Sequence, residues 1–256
     1  MQIITCFKVV PEEQDITVTA SGDLVFDRAK LTISNYDLNA IEAGAQLAEA
    51  HGAMMVGLSV GAANIDESKM KKNVLSRGPE SLYLAADNSF ADMDTCQTAT
   101  VLKAAIEKIG AYDLVICGEG SSDIYAQQVG IQLGQLLNIP TINSISKITV
   151  EGKNVIVERS LEDEIEMLEI AMPAIISVTS DINLPRIPSM KQILAAGKKT
   201  STVWTAAEIG LAQPERTIEI LETKAPKQAD RKQEVIEGDS DEAVQKLIEV
   251  ISKELK

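Results

Sequence analysis

Residues 113–138, DLVICGEGSSDIYAQQVGIQLGQLLN, decide the fold. An apolar run, Leu114 to Cys117, stops at Gly118; a second glycine and two serines follow at once, and a helical pattern then runs to a stop at Asn138 and Pro140. A buried strand that hands over to a helix through a glycine turn is the unit of a parallel α/β sheet. The same unit recurs upstream. MQIITCFKVV (1–10) reads as a first buried strand, followed by a polar hairpin, DITVTASGDLVFD (15–27). YDLNAIEAGAQLAEAHG (36–52) spaces Leu38, Ile41, Ala45 and Leu47 as a helix does, with Asp37 as N-cap and Gly52 as terminator. Strand AMMVGLSVG (53–61), helix DESKMKKNVLSRG (66–78), strand ESLYLAAD (80–87) and helix MDTCQTATVLKAAIEKIGA (93–111) complete the series.

Four β–α units in this rhythm predict a parallel sheet with right-handed crossovers. Ligands of such sheets sit at the carboxyl ends of the strands, near a switch in strand order. The turns Ser59–Gly61 and Gly118–Ser122 fall at such ends. Past residue 143 the rhythm changes. SISKITVEGKNVIVERS (144–160) and EIEMLEIAMPAIISVTS (164–180) predict antiparallel strands that extend the same sheet. A proline-flanked loop (183–190) and a short helix, KQILAAGKK (191–199), come next. Residues 213–240 are polar and strand-poor. The end, DEAVQKLIEVISKELK (241–256), aligns Val244, Leu247, Ile248 and Ile251 on one helical face, which must bury itself on its own domain or on a partner subunit.

The totals exclude several classes. A net charge of −14 argues against general nucleic-acid binding, which needs a basic footprint. No uninterrupted apolar stretch reaches the length of roughly 18 residues or more that a membrane span needs. The start lacks a basic n-region and a cleavage site, so the expectation is a cytoplasmic chain. One histidine, His51, and three scattered cysteines without a CxxC spacing make a metal site an unexpected feature. Charge is uneven: residues 162–169 carry five acids, whereas residues 185–204 carry Arg186, Lys191, Lys198 and Lys199 and no acid, the pattern of a docking surface.

At the turn itself, Gly118, Gly120, Ser121 and Ser122 would offer backbone and hydroxyl donors to a phosphate at a helix N-terminus. Asp123 and Gln127, at i and i+4, are expected on one face of the first helical turns. The turn is neither GxGxxG nor a Walker loop, and a tight turn with an ordinary N-cap accounts for the same residues. No serine has a histidine partner and no G-x-S-x-G elbow occurs, so no catalytic set is expected.

Four segments carry a family resemblance: IITCFKVVPEEQDI (3–16), SNYDLNAIEAG (34–44), GEGSSDIYAQQVG (118–130) and above all VTSDINLPRIPSMKQILAAGKK (178–199). Over essentially its whole length the chain resembles the β subunit of electron transfer flavoproteins. LSRGP (75–79) and VERSLEDEIE (157–166) resemble the Fix-type branch, found with anaerobic acyl-CoA and carnitine metabolism. The resemblance implies a three-layer α/β/α Rossmann-like fold of the adenine nucleotide alpha hydrolase-like kind, with a nucleotide-binding domain (1–212) and a C-terminal arm and helix (213–256) that packs on the α subunit. It implies a heterodimer with an electron transfer flavoprotein α subunit that carries the redox FAD, and a nucleotide in this chain: AMP in simple carriers, a second FAD that accepts hydride from NADH in electron-bifurcating relatives.

Carried over residue by residue, that nucleotide would be held by Cys6, Ser34, Asn35, Tyr36, Asp37, Val60, Gly61, Gly118, Glu119, Gly120, Ser121, Ser122, Asp123, Ala126, Gln127, Gln128 and Val129. Many relatives have a threonine at the position of Ala126 or Val129, which bears on the number of phosphate contacts. Loop 183–197 resembles the segment that docks on acyl-CoA dehydrogenases, with Met190 as the plug and Arg186, Ile187, Lys191 and Lys198 around it. Arg159 and Glu162 lie in a segment that in relatives approaches the α subunit's flavin. The resemblance implies electron transfer, with no bond-making chemistry by this chain.

Overall fold

The computed structural model describes residues 1–211, 216, 218–227 and 233–255. Its first strand, β1 (Gln2–Cys6), is followed by an excursion of four short strands, β2 (Val9–Pro11), β3 (Thr17–Val18), β4 (Leu24–Val25) and β5 (Leu31–Ile33), which pair antiparallel as β2–β5 and β3–β4. Then come α1 (Asn35–His51), β6 (Met54–Gly61), α2 (Ser68–Leu75), β7 (Ser81–Ala86), α3 (Thr95–Ile109), β8 (Leu114–Gly118) and α4 (Val129–Leu137). The second half adds β9 (Thr141–Glu151), β10 (Asn154–Ser160), β11 (Ile165–Ala171), β12 (Ala174–Val178), α5 (Met190–Ala196), β13 (Thr200–Trp204) and α6 (Asp241–Glu254).

One nine-stranded sheet runs in the order β11-β10-β9-β12-β8-β1-β6-β7-β13. Each neighbouring pair from β9 to β13 is parallel, and β10 is antiparallel to both β9 and β11. From β1 the chain moves outward through β6 and β7; it then returns to β8 on β1's other side. The strand order therefore switches between β1 and β8, and their carboxyl ends flank the crevice where such sheets bind ligands.

Side-chain alternation along the strands divides the core into two faces. Ile4, Cys6, Val115 and Cys117 point to the layer of α3 and α4 with Leu102, Ile106 and Leu133. Ile3, Leu114 and Ile116 point to α1 with Ala40, Ala43 and Leu47. Further along, Met55, Leu82 and Leu84 meet α1, α2 and α5. The result is the expected three-layer α/β/α arrangement. Burying each of the large aliphatic side chains contributes about 1.5–3 kcal/mol.

Several local expectations are corrected. MQIITCFKVV is not one strand: β1 ends at Cys6, because the Lys8 N–H turns to the Asp37 carboxylate instead of a neighbouring strand. Helix α1 starts two residues before Asp37, with Ser34 as N-cap, so Asp37 lies in the first turn; Gly52 ends it at φ 60° as expected. The helix after β8 begins only at Val129, and residues 121–128 form a loop. The stretch 164–180 breaks at Pro173, which has no N–H for the ladder, and its second half joins the sheet parallel to β8 and β9 as β12. Strand β13 escaped the sequence reading altogether; it caps the sheet beside β7, with Trp204 stacked on Tyr83.

The boundary expected at residue 212 lies outside the described residues. Beyond it, Ala225 N–H donates to Gly22 O at 2.9 Å and ties that part of the arm to the β3–β4 turn. Val244, Leu247, Ile248 and Ile251 of α6 are exposed, so the described residues leave this apolar face open.

Candidate functional site

The crevice between β1 and β8 is organised by one carboxylate. Asp37 is buried at the start of α1. Its Oδ2 accepts the Lys8 N–H at 2.7 Å, and its Oδ1 accepts the Gly118 N–H at 3.1 Å. A single side chain thus ties the ends of the two strands that flank the switch point to the N-terminus of α1. Burial pushes the Asp37 carboxyl from 3.8 up to about 7, against the opposing pull of those N–H groups and the Ser34 hydroxyl. Both oxygens are engaged by backbone donors, so this carboxylate organises the turn rather than acting as a base.

Gly118 is required by this close approach. A Cβ there would lie 2.7 Å from Asp37 Oδ1 and 2.8 Å from the Tyr36 carbonyl carbon. At Gly120 a Cβ would lie 2.5 Å from the Tyr125 ring. That ring packs against Tyr36 at a centroid distance of 4.9 Å, and its hydroxyl accepts from Gln127 Nε2 at 3.3 Å. Tyr125 and Gln127 both hold left-handed backbone, φ 51° and 56°. Non-glycine residues in that region carry strain of about 1–2 kcal/mol each, offset by the surrounding contacts.

The loop is fastened at two further points. Lys8 Nζ meets Asp123 Oδ2 at 2.6 Å, and the Ser122 N–H donates to Ser34 Oγ at 3.3 Å. Burial pushes the Asp123 carboxyl up, but Lys8 and Ser121 outweigh it and hold it below its ordinary value. Ser34 makes no side-chain cap to α1; its carbonyl accepts the Asp37 and Leu38 N–H groups at 3.0 and 3.2 Å, and the Asn35 and Tyr36 N–H groups remain uncapped by its hydroxyl. They lie beside the Gly118–Ser122 turn. A helix N-terminus carrying roughly half a positive charge, beside a glycine turn and a lysine, suits an anion such as a phosphate. The helix N-terminus beside this turn is that of α1, since the helix that follows the turn begins only at Val129.

Most of the expected residues converge here. The segments Ser34–Asp37 and Gly118–Asp123 meet through the Asp37–Gly118 and Ser34–Ser122 hydrogen bonds and the close approach of Gly118 to Tyr36. Cys6 is buried beside Cys117; contact with Cys117 and burial push its thiol well up, so it stays a neutral packing group. Val60 and Gly61 end β6, the next strand over, and the Gly61 carbonyl accepts the Asp87 N–H at 3.0 Å. Ala126, Gln127 and Gln128 are on the outer loop, where Asp123 and Gln127 do not share a helical face, because no helix forms there. Val129 packs into the core. Lys8 and Tyr125 were missed. The signals were a lysine directly after a buried strand and an aromatic inside the glycine turn of a chain with 3% aromatics.

A second cluster lies in loop 183–190 and α5. Leu184, Ile187 and Met190 are exposed at 91%, 93% and 71%, and Lys191 and Lys198 are exposed beside them. Arg186 instead turns inward to Glu42 and Glu49. Lys199 is also drawn inward, where its ammonium donates to the carbonyls of Leu75 and Pro79 at 2.9 and 2.7 Å. Arg159 on β10 donates to Asn143 Oδ1 at 3.0 Å and pairs with Glu166; Glu162 is exposed in the β10–β11 turn. Among the described residues no group of His, Cys, Asp and Glu is arranged to hold a metal, and no helix is long and apolar enough to cross a membrane.

A doubly wound sheet in which a helix N-terminus, a glycine turn and a buried carboxylate meet at the switch point defines a Rossmann-like α/β protein. The family model of the electron transfer flavoprotein domain matches residues 23–209, which take in Ser34–Asp37, the Gly118–Asp123 turn and the exposed loop but neither β1 nor Lys8. The chain belongs to the electron transfer flavoprotein family, whose members are flavin-associated electron carriers.

Proposed function

We propose that the chain is the β subunit of a heterodimeric electron transfer flavoprotein of the Fix-type branch, serving acyl-CoA or carnitine-type metabolism in the cytoplasm. The crevice at β1 and β8 carries this reading: Asp37 bridging Lys8 and Gly118 beside the uncapped start of α1. That geometry fits the phosphate of an adenine nucleotide, with Ser121, Ser122 and Lys8 as further donors and the Tyr36–Tyr125 pair at its side. The flavin, when bound, supplies the one- and two-electron chemistry. This chain's own residues bind the nucleotide, help frame the flavin on the α subunit and present the 183–197 loop to an acyl-CoA dehydrogenase or a related flavoenzyme. The domain of residues 1–212 does this work, and the arm and α6 of 213–256 pack on the α subunit. The exposed apolar face of α6 supports that assignment.

A second reading makes the nucleotide a second FAD that takes hydride from NADH in electron bifurcation. Ala126 and Val129 offer no hydroxyl to a phosphate, so these positions do not single out AMP over FAD. Co-purifying the heterodimer, denaturing it and quantifying released FAD and AMP separates the two. One of each per heterodimer supports the simple carrier. Two FAD without AMP support bifurcation, and neither nucleotide in this chain overturns both.

A further inference from the structure

Loop 183–190 holds the two most exposed large apolar side chains among the described residues, Leu184 and Ile187. Between them, Arg186 is held at every polar group. Its N–H and its Nε donate to Glu42 Oε2 at 3.1 and 2.6 Å, and its Nη2 donates to Glu42 Oε1 at 3.1 Å. Its Nη1 reaches Glu49, and its carbonyl accepts from Arg77 Nη1. Three residues earlier on α1, Asn39 Nδ2 donates to the carbonyls of Ser180 and Asn183 at 3.0 and 2.9 Å, and Asn183 Nδ2 donates back to the Asn39 carbonyl at 3.1 Å.

Asn39, Glu42 and Glu49 lie on one stripe of α1, three and seven residues apart. Asn39 and Glu42 are buried, which is unfavourable for polar groups unless they are fully paired. Burial would push the Glu42 carboxyl up, but the Arg186 guanidinium outweighs it and holds that carboxyl below its ordinary value. The stripe is satisfied by loop 180–186. Pro185 and Pro188 bracket the anchored residue and bring no N–H that needs a partner.

We infer that Arg186 is a positioning residue: it clamps the loop onto α1 so that Leu184 and Ile187 stand pre-ordered for an apolar groove on the redox partner protein. This rests on the reading that the loop docks such a partner. A loop ordered in advance loses less freedom on contact, so the clamp raises affinity without touching the partner. The clamp belongs to α1, the helix whose first turn also frames the crevice. Docking loop and crevice thus share one rigid support, while each keeps its own contacts.

The test compares the wild-type heterodimer with Arg186→Lys, which keeps the charge and loses the fork, and with the double variant Glu42→Gln/Arg186→Gln, which removes both charges of the buried pair at once. Amide hydrogen exchange across 183–190 is measured together with electron transfer from an acyl-CoA dehydrogenase, reduction by a small dye, and nucleotide content. The expected result is faster exchange in the loop, with KM for the dehydrogenase raised about tenfold, while kcat, dye reduction and nucleotide content stay within about twofold. Faster exchange with unchanged KM would overturn the inference. So would a raised KM with unchanged exchange, which makes Arg186 a direct contact, or a joint loss of nucleotide and fold, which makes it only structural. If the wild-type protein takes no electrons from the dehydrogenase although it holds its flavin, the docking reading itself fails and the inference falls with it.

Discussion

Asp37 and Gly118 are 81 residues apart in the chain and joined by a 3.1 Å hydrogen bond from the glycine N–H to the carboxylate. With the Lys8 N–H on the other oxygen, the contact closes the switch point of the sheet around a buried acid. A carboxyl whose folded value is raised to about 7 binds its proton more readily folded than unfolded. Its contribution to stability is therefore fully present below pH 3.8 and is lost as the pH rises through about 7. Asn at this position cannot ionise. The difference in unfolding free energy between wild type and Asp37→Asn, followed by denaturant titration at several pH values, should shift in favour of the variant from pH 4 to pH 7 and then level off.

Gly118→Ala places a methyl group against the backbone of Tyr36, which cannot swing away as a side chain can. Overpacking of this kind typically costs about 1–3 kcal/mol. The α1 N-terminus should move off β8. A lowered Tm together with a loss of co-purified nucleotide is expected, whereas an unchanged nucleotide content would remove the turn from the binding site.

The Lys8–Asp123 pair is partly exposed, and such pairs contribute at most about 1 kcal/mol to folding. Lys8→Met should therefore leave the Tm nearly unchanged. It should still speed nucleotide release several-fold, because it frees the 121–128 loop and removes a cation from the crevice. Release is read by trapping the free nucleotide with an excess of competitor.

Ser59 is fully buried on β6, and its hydroxyl has no hydrogen-bond partner among the described residues. Burying a hydroxyl without a partner costs about 1–3 kcal/mol, so Ser59→Ala should stabilise the fold by roughly 1 kcal/mol. A melting scan should show a rise of about 2–4 °C.

Leu247→Lys on α6 exchanges an exposed apolar group for a charge. The isolated chain should melt within about 0.5 kcal/mol of wild type, as surface substitutions do. Co-purification with the α subunit should fall sharply. Retention of the heterodimer would place the helix elsewhere.

The β–α alternation, the parallel sheet and the glycine turn after β8 were legible in the sequence, because strand burial and helical spacing are local patterns that hydrophobicity alone imposes. Ser34 to Asp37 and Gly118 to Asp123, singled out by the motifs in those segments, meet in the fold. Only the tertiary structure decided how they are joined. Asp37 has the composition of a helix cap, yet the arrival of β1 and β8 beside it makes it a buried bridge between strands. The helix expected after the two serines gives way to a loop up to Gln128, since Tyr125 finds Tyr36 and Asp123 finds Lys8, contacts that no window of the sequence contains. Arg186 looked like a free cation in a basic segment, and Glu42, 144 residues away, turned it inward. Periodicity determines which elements form and which faces they bury. The partners of charged and polar side chains are set by long-range packing, which brings distant residues together only once the sheet has closed.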